Sequence, residues 1–452
     1  MRRWSGHGAL ALGSALALAL AAAGHAEPLI DRAGLLPPGT EFGEPAAEVP
    51  RQILTVERLG SEQGFLIGLG NLAFGSPLIL GGGARRAGIS CATCHVGGEA
   101  NPAFFLPGHS SRPGTVDVTG PLFNPNADDG LFNPLAIPSL RGIKQTAPYG
   151  RDGRTASLRE FTRDVIVREF AGAEPDPMML DALVAYMQQF EFLPNPKIGP
   201  AGRLTGLASE AARRGEALFS RPFESIGGQS CASCHVPSAL FVDGRQHDVD
   251  TGAAYDTPTL LGLAFTAPYF HDGRASSLAD VVVHLDATFD LGLSVAERSD
   301  LLAYLEAVGD GEKPFERKDL AFDMTEIEVF TRLLDQTLAD RRADLTRLII
   351  DTVNAELREL AGHWHRPHDR AIRGLIAGWA VQLRRVDGHA DAGAWADAQA
   401  ALAAYRRSVA SDLPKVAAAE GRSIYDPGML AGYLHELRLL VGPVNDEARA
   451  LE

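Results

Sequence analysis

The 452-residue chain has four cysteines, in two pairs, and a histidine follows each pair at once: Cys91-Ala-Thr-Cys94-His95 and Cys231-Ala-Ser-Cys234-His235. One tight turn of this kind presents both thiols to the two vinyl groups along one edge of a haem, giving two thioethers. The next residue's imidazole then reaches the iron from one face. A four-cysteine zinc site does not require a histidine after both pairs. A redox dithiol of the thioredoxin type wants a βαβ frame, which the pattern lacks. The spacing therefore predicts two covalently bound haem c groups. Cys91, Cys94, Cys231 and Cys234 would attach them, and His95 and His235 would be the proximal ligands of iron. No cysteine is left over for a disulfide.

The elements around these motifs are duplicated. The two Cys-x-x-Cys-His motifs lie 140 residues apart. Further on, Thr146-Ala-Pro-Tyr-Gly-Arg-Asp-Gly-Arg154 answers Thr266-Ala-Pro-Tyr-Phe-His-Asp-Gly-Arg274 at a spacing of 120. Pro138-Ser-Leu140 answers Pro258-Thr-Leu260, and Ala182–Met187 answers Asp300–Leu305. Two homologous haem modules in tandem are expected, the first with about twenty extra residues in the loop after its motif. Apolar residues at helical spacing predict helices over Leu158–Arg168, Met179–Gln189, Leu278–Asp286 and Ala296–Val308. Ser157 and Ser277 stand where N-caps belong. Gly97–Gly142 and Val236–Phe265, rich in Gly, Pro, Asn and Asp, read as loops wrapping a haem edge. The fold class expected is mainly α: two tandem cytochrome c-type haem domains followed by a C-terminal helical bundle.

The formal net charge is −15 with 22% charged residues. An acidic balance excludes nucleic acid as the main partner, since that surface calls for a basic footprint. It is compatible with a basic soluble partner. Arg2 and Arg3 precede an uncharged Ala/Leu run from Ala9 to Ala23, and Gly24-His25-Ala26 supplies small residues for cleavage. Residues 1–26 therefore read as a signal peptide, and the mature chain as exported to a periplasm. Phe65–Ala84 is also uncharged, but Asn71, Pro77 and its glycines make it read as a loop region rather than a membrane span. Domains are expected at 27–200, 201–320 and 321–452.

The stretches Leu69–Phe74, Ile89–His95 and above all Phe265–Arg274 resemble the bacterial di-haem cytochrome c peroxidase superfamily, which includes the MauG-like protein-oxidising enzymes. The resemblance covers about residues 60–312. It implies a peroxide site at the first haem, fed with electrons through the second, and a small soluble electron-transfer protein as partner. It also implies calcium between the haem domains, at no assigned residue. His109, fourteen residues past His95, resembles the displaceable distal histidine. Glu169 falls close to the distal acid, whose chemistry is to move a proton between peroxide oxygens. His271 matches the histidine on the propionate side. Two departures stand out. The tryptophan that usually bridges the haems is Arg151 here. The usual methionine or tyrosine ligand of the second haem is Leu285, flanked by His284, the candidate sixth ligand, with His247 behind it. Three functions stay open on these residues: a peroxidase, MauG-like oxidation of a protein substrate, and a di-haem electron-transfer cytochrome without peroxidase activity.

Residues 321–452 carry no cysteine and no copy of the module. Thr325-Glu-Ile-Glu328 reads as a capping box. Leu345, Leu348, Ile349, Val353, Leu357 and Leu360 mark one apolar face of a helix ending at Gly362. Further helices are expected over about 369–386, 391–410 and 427–441, broken by Gly388, Pro414 and Gly442-Pro443. His363, His365 and His368 beside Trp364 read as residues of a helix end rather than a metal site.

Overall fold

A computed structural model of the chain describes residues 36–43, 48–53 and 62–441. Helix accounts for 53% and strand for 6%, so the fold is mainly α. The expected signal peptide lies outside the described residues. Among them, no helix is long and apolar enough to cross a membrane.

A short strand, β1 (Glu48–Pro50), precedes the first repeat. That repeat holds α1 (Glu62–Gly75), α2 (Gly82–Arg86), the one-turn α3 (Cys91–Cys94), the strands β2 (Thr115–Val116) and β3 (Leu135–Ala136), α4 (Leu158–Asp164) and α5 (Pro177–Met187). The second repeat holds α6 (Glu210–Phe219), α7 (Cys231–Cys234), β4 (Gln246–His247), β5 (Tyr255–Asp256), α8 (Leu278–Thr288) and α9 (Val295–Gly309). In each copy the loop after the motif closes with one antiparallel pair, β2 with β3 and β4 with β5. Ser157 and Ser277 cap α4 and α8, accepting from the backbone N–H of Glu160 and Asp280.

The helix pairs that frame each repeat cross in the same way. α1 packs on α5 and α6 packs on α9. A Cβ on Gly70 would collide with the Ala182 carbonyl, and one on Gly215 with the Asp300 carbonyl. Glycine is needed at both crossings because the partner backbone occupies the space. This corrects the loop reading of Phe65–Ala84. Most of it is helical, and Leu69 and Leu72 are fully buried. Gly70, Gly81 and Gly83 serve close approach, each facing a backbone carbonyl that a Cβ would strike.

After β6 (Phe315–Arg317), which pairs with β1, come α10 (Leu320–Ala339), α11 (Ala343–Gly362), α12 (Arg370–Asp391), α13 (Trp395–Ala417) and α14 (Pro427–Val441). Successive members of α10–α13 pack on one another, and α10 also packs on α1. One apolar core runs from Leu72 and Leu183 of the first repeat through Leu334, Ile349, Val353, Trp379 and Leu383. The second repeat has its own, with Phe219, Phe241, Val282, Tyr304 and Val308. A buried hydrogen bond from Thr352 Oγ1 to Ser76 Oγ (3.1 Å) ties α11 to the end of α1.

Three boundary expectations are corrected. α10 starts earlier than the Thr325 box: Asp319 is the N-cap and accepts from Phe322 N–H, while Thr325 lies inside the helix and donates to the Ala321 carbonyl. Gly388 lies within α12 and Pro414 within α13. The break between those helices comes at Gly393, whose φ of +71° suits glycine. Tertiary packing overrides the local breaker signals here.

Candidate functional site

Each Cys-x-x-Cys pair forms one helical turn with the same cap. Ser90 and Thr93 make a reciprocal capping box around Cys91–Cys94, and Ser230 and Ser233 make one around Cys231–Cys234. The turn hands the chain to the histidine, whose N–H bonds back to the first cysteine's carbonyl in both copies. His95 Nδ1 lies 2.9 Å from the Pro138 carbonyl, and His235 Nδ1 lies 3.1 Å from the Phe241 carbonyl. A neutral imidazole that donates from Nδ1 to a carbonyl keeps Nε2 as a lone-pair donor, the state a ligand to iron requires. Burial pushes both histidines down, His95 to about 4, against the opposing effect of these carbonyls. They are therefore neutral at physiological pH.

The cysteines form no disulfide. Burial pushes Cys91 and Cys94 up to about 12, with Cys231 raised to about 11. A redox dithiol needs the opposite shift. Among the described residues the four sulfurs do not converge. The sole cluster of metal-ligating atoms within 4.8 Å of one another is Cys234, Asp243 and His247. Paired thiols and a neutral imidazole held through Nδ1 form a donor set that fits a c-type haem in each repeat.

The first repeat also carries Glu169. The last turn of α4 widens into a π-turn over Val165–Glu169, a distortion often found at functional sites. Glu169 Oε1 accepts a hydrogen bond from Arg154 Nη2 at 2.6 Å. Desolvation raises the Glu169 pKa despite the Arg154 charge. His109 packs edge-on against Phe123 (5.4 Å between centroids), which packs edge-on against Phe170, the residue after Glu169. His109 and Glu169 thus stand along one aromatic wall.

In the second repeat, His284 on α8 lies 3.0 Å through Nε2 from the Val249 carbonyl and packs on Phe270. His247 Nε2 is 2.8 Å from Asp243 Oδ2, beside Cys234. Each of these nitrogens thus has a protein partner. His271 stacks on Tyr255, centroids 3.8 Å apart and planes at 21°.

The two repeats meet across a pseudo-twofold seam. Ala136 N–H donates to the His271 carbonyl (2.7 Å), and Asp256 N–H donates to the Arg151 carbonyl (2.9 Å). Ala136 and Asp256 are 120 residues apart, as are Arg151 and His271. Sequence reasoning had not singled out Pro138, whose carbonyl orients His95, or Arg154, the partner of Glu169. The signals were there, in the Pro138/Pro258 spacing and in the repeated Asp-Gly-Arg.

Comparison with known proteins agrees with this geometry. Residues 209–316 match the family model for di-haem cytochrome c peroxidases. The chain is 29% identical over 284 positions to hydrazine synthase subunit gamma of Kuenenia stuttgartiensis, covering 49% of this chain and 73% of that subunit. It is 38% identical over 112 positions to the methylamine utilization protein MauG of Methylorubrum extorquens, covering 24% of this chain and 30% of MauG, so less than a third of that relative is spanned. A solved structure of Kuenenia stuttgartiensis hydrazine synthase under xenon superposes with a TM-score of 0.41 at 22% identity, over 58% of this chain and 94% of that one. The match over residues 209–316 and the likeness to the two curated relatives support a di-haem oxidoreductase of the cytochrome c peroxidase and MauG-like superfamily.

Proposed function

We propose that the chain is an exported, periplasmic enzyme with two covalently bound haem c groups. It reduces hydrogen peroxide at the Cys91/Cys94/His95 haem and receives electrons through the Cys231/Cys234/His235 haem. The haems supply the redox chemistry, and a small soluble electron-transfer protein supplies the electrons. The observation that carries the reading is Glu169, a desolvated carboxyl with a raised pKa, held at one oxygen by Arg154 and placed by a π-turn in the repeat that bears His95. Arg154 fixes the carboxyl's direction. Oε2 is then the oxygen that takes a proton from one peroxide oxygen and returns it to the other. His109, the candidate displaceable histidine of the first haem, packs on Phe123. His95 and His235 would hold iron through Nε2, since Nδ1 of each is taken by a backbone carbonyl. His284 and His247 are the candidates for a further ligand to the second iron.

A second reading, oxidation of a protein substrate, draws on the 38% likeness to MauG. The test is a pyridine haemochrome assay followed by a peroxide titration, read by absorbance and EPR, on as-isolated and half-reduced protein. Two haems per chain and a high-spin signal that peroxide consumes are expected. Glu169→Gln should slow peroxide turnover by roughly 10²–10⁴-fold, the usual size of a general acid–base contribution. Unchanged turnover removes Glu169 from the role. Two low-spin signals inert to peroxide leave an electron-transfer cytochrome.

A further inference from the structure

The seam is symmetric in its backbone and asymmetric in its charge. His271 and Arg151 occupy equivalent positions, but they do different things. The His271 ring is stacked on Tyr255. The Arg151 side chain is half-buried: Nη2 donates to the Ala136 carbonyl of its own repeat, and the buried Nε has no hydrogen-bond partner. Neighbouring arginines of the same motif are paired, Arg154 with Asp152 and Glu169, Arg274 with Asp272. Arg151 forms no carboxylate ion pair among the described residues. Burial lowers its pKa only to about 10, so it remains a cation at neutral pH.

A cation with a buried, unpaired nitrogen is held at a cost unless an anion comes to it. Hydrogen bonds show where that anion must arrive: Ala136, whose carbonyl accepts from Arg151, donates its N–H to the His271 carbonyl and lies two residues before Pro138, whose carbonyl holds His95 Nδ1. Arg151 therefore lies between the first attachment motif and the second repeat. A haem tethered through its vinyl edge at Cys91 and Cys94 carries its two propionate carboxylates on the opposite edge. These are the anions the site lacks.

We propose that Arg151 is the counter-ion of a propionate on the first haem, and that its fixed charge raises that haem's reduction potential relative to the second. The proposal rests on the di-haem reading above. A positive charge close to the porphyrin favours the iron state with one charge fewer, and partial burial of Arg151 limits the screening of that effect. The guanidinium fork suits a carboxylate in two-point contact, which an ammonium does not match. In this chain the residue between the repeats is thus an electrostatic one. It biases where an electron rests rather than offering an aromatic ring to carry it.

Spectroelectrochemistry of the haem-loaded protein tests this. Wild type should show two one-electron couples, and the haem retained in Cys231→Ser/Cys234→Ser assigns the one belonging to the first repeat. In Arg151→Gln that couple should move to lower potential while the other stays, and Arg151→Lys should recover part of the shift. Two unmoved couples in Arg151→Gln, with both haems present, overturn the proposal, as does an equal fall in the lysine variant. If the glutamine variant does not retain haem, resonance Raman of wild type decides. The propionate bending band should shift between H2O and D2O, because its donor exchanges, and a band that stays in place overturns the proposal. Absence of haem from wild type would instead sink the di-haem reading itself.

Discussion

Replacing Glu326 with glutamine should stabilise the folded chain near neutral pH, and by an amount that depends on pH. Glu326 lies on α10 in a group with Asp323 on the same helix and Glu356 and Glu359 on α11, with Lys318, His363 and Tyr425 alongside. Desolvation first, then the Asp323 charge, raises Glu326 from 4.5 to about 7. Each unit of difference between folded and unfolded states is worth about 1.4 kcal/mol, which sets an upper bound of about 3 kcal/mol. Glu326 borders a cavity of about 1760 Å³, so part of its charge is solvated, and about 1–3 kcal/mol is expected. The folded state holds the proton more tightly than the unfolded one. Stability from this group is therefore full below about pH 4.5 and lost as pH rises through about 7. Glutamine removes that loss. His363, pushed down to about 4 by burial and by Lys318, acts with the opposite slope, since stability falls when it must take up a proton. Comparing wild type with Glu326→Gln at each pH cancels that contribution. Guanidinium unfolding followed by far-UV circular dichroism at pH 4.5 and 7.5 is the assay. A variant that is less stable at pH 7.5, or a difference of equal size at both pH values, would refute the reasoning.

Two further outcomes follow from the packing. Gly70→Ala and Gly215→Ala should each lower the thermal midpoint, at about 1–3 kcal/mol, because the obstruction is backbone and cannot swing aside. Gly374→Ala, in the second turn of α12 with open space around its Cβ, should raise the midpoint by up to about 1 kcal/mol, and the same sign for all three would contradict the crossing argument. Trp364, fully buried, donates from Nε1 to the Ala419 carbonyl at 2.9 Å, so Trp364→Ala should cost about 3–5 kcal/mol in denaturant unfolding, and a loss under 1 kcal/mol would place the indole outside the core.

Much of the site could be read from residue order. The duplicated Cys-x-x-Cys-His turns, the 120-residue echo and the caps at Ser157 and Ser277 are local or periodic, and they recur in the structure where the pattern put them. The apolar face from Leu345 to Leu360 is of the same kind: helix α11 spans Ala343–Gly362 and buries Leu345, Ile349, Val353, Leu357 and Leu360. Readings went astray where a neighbouring element supplied the reason. Gly70 in α1 looked like a loop signal because the crossing at Ala182 and Tyr186 that requires it lies more than a hundred residues away. Gly388 and Pro414 looked like stops, yet α12 and α13 continue through them as they pack against each other.

The sequence by itself determined that two attachment turns exist, that each ends in a histidine and that they belong to matched repeats, because those properties depend only on residues a few positions apart and on their recurrence. Tertiary structure alone decided which carbonyl orients each histidine, that Arg154 holds Glu169, and that Arg151 sits at the seam with a buried, unpaired Nε. The physical reason is that burial, partner and field belong to the environment. Chains that share a motif can fold it into surroundings of quite different charge.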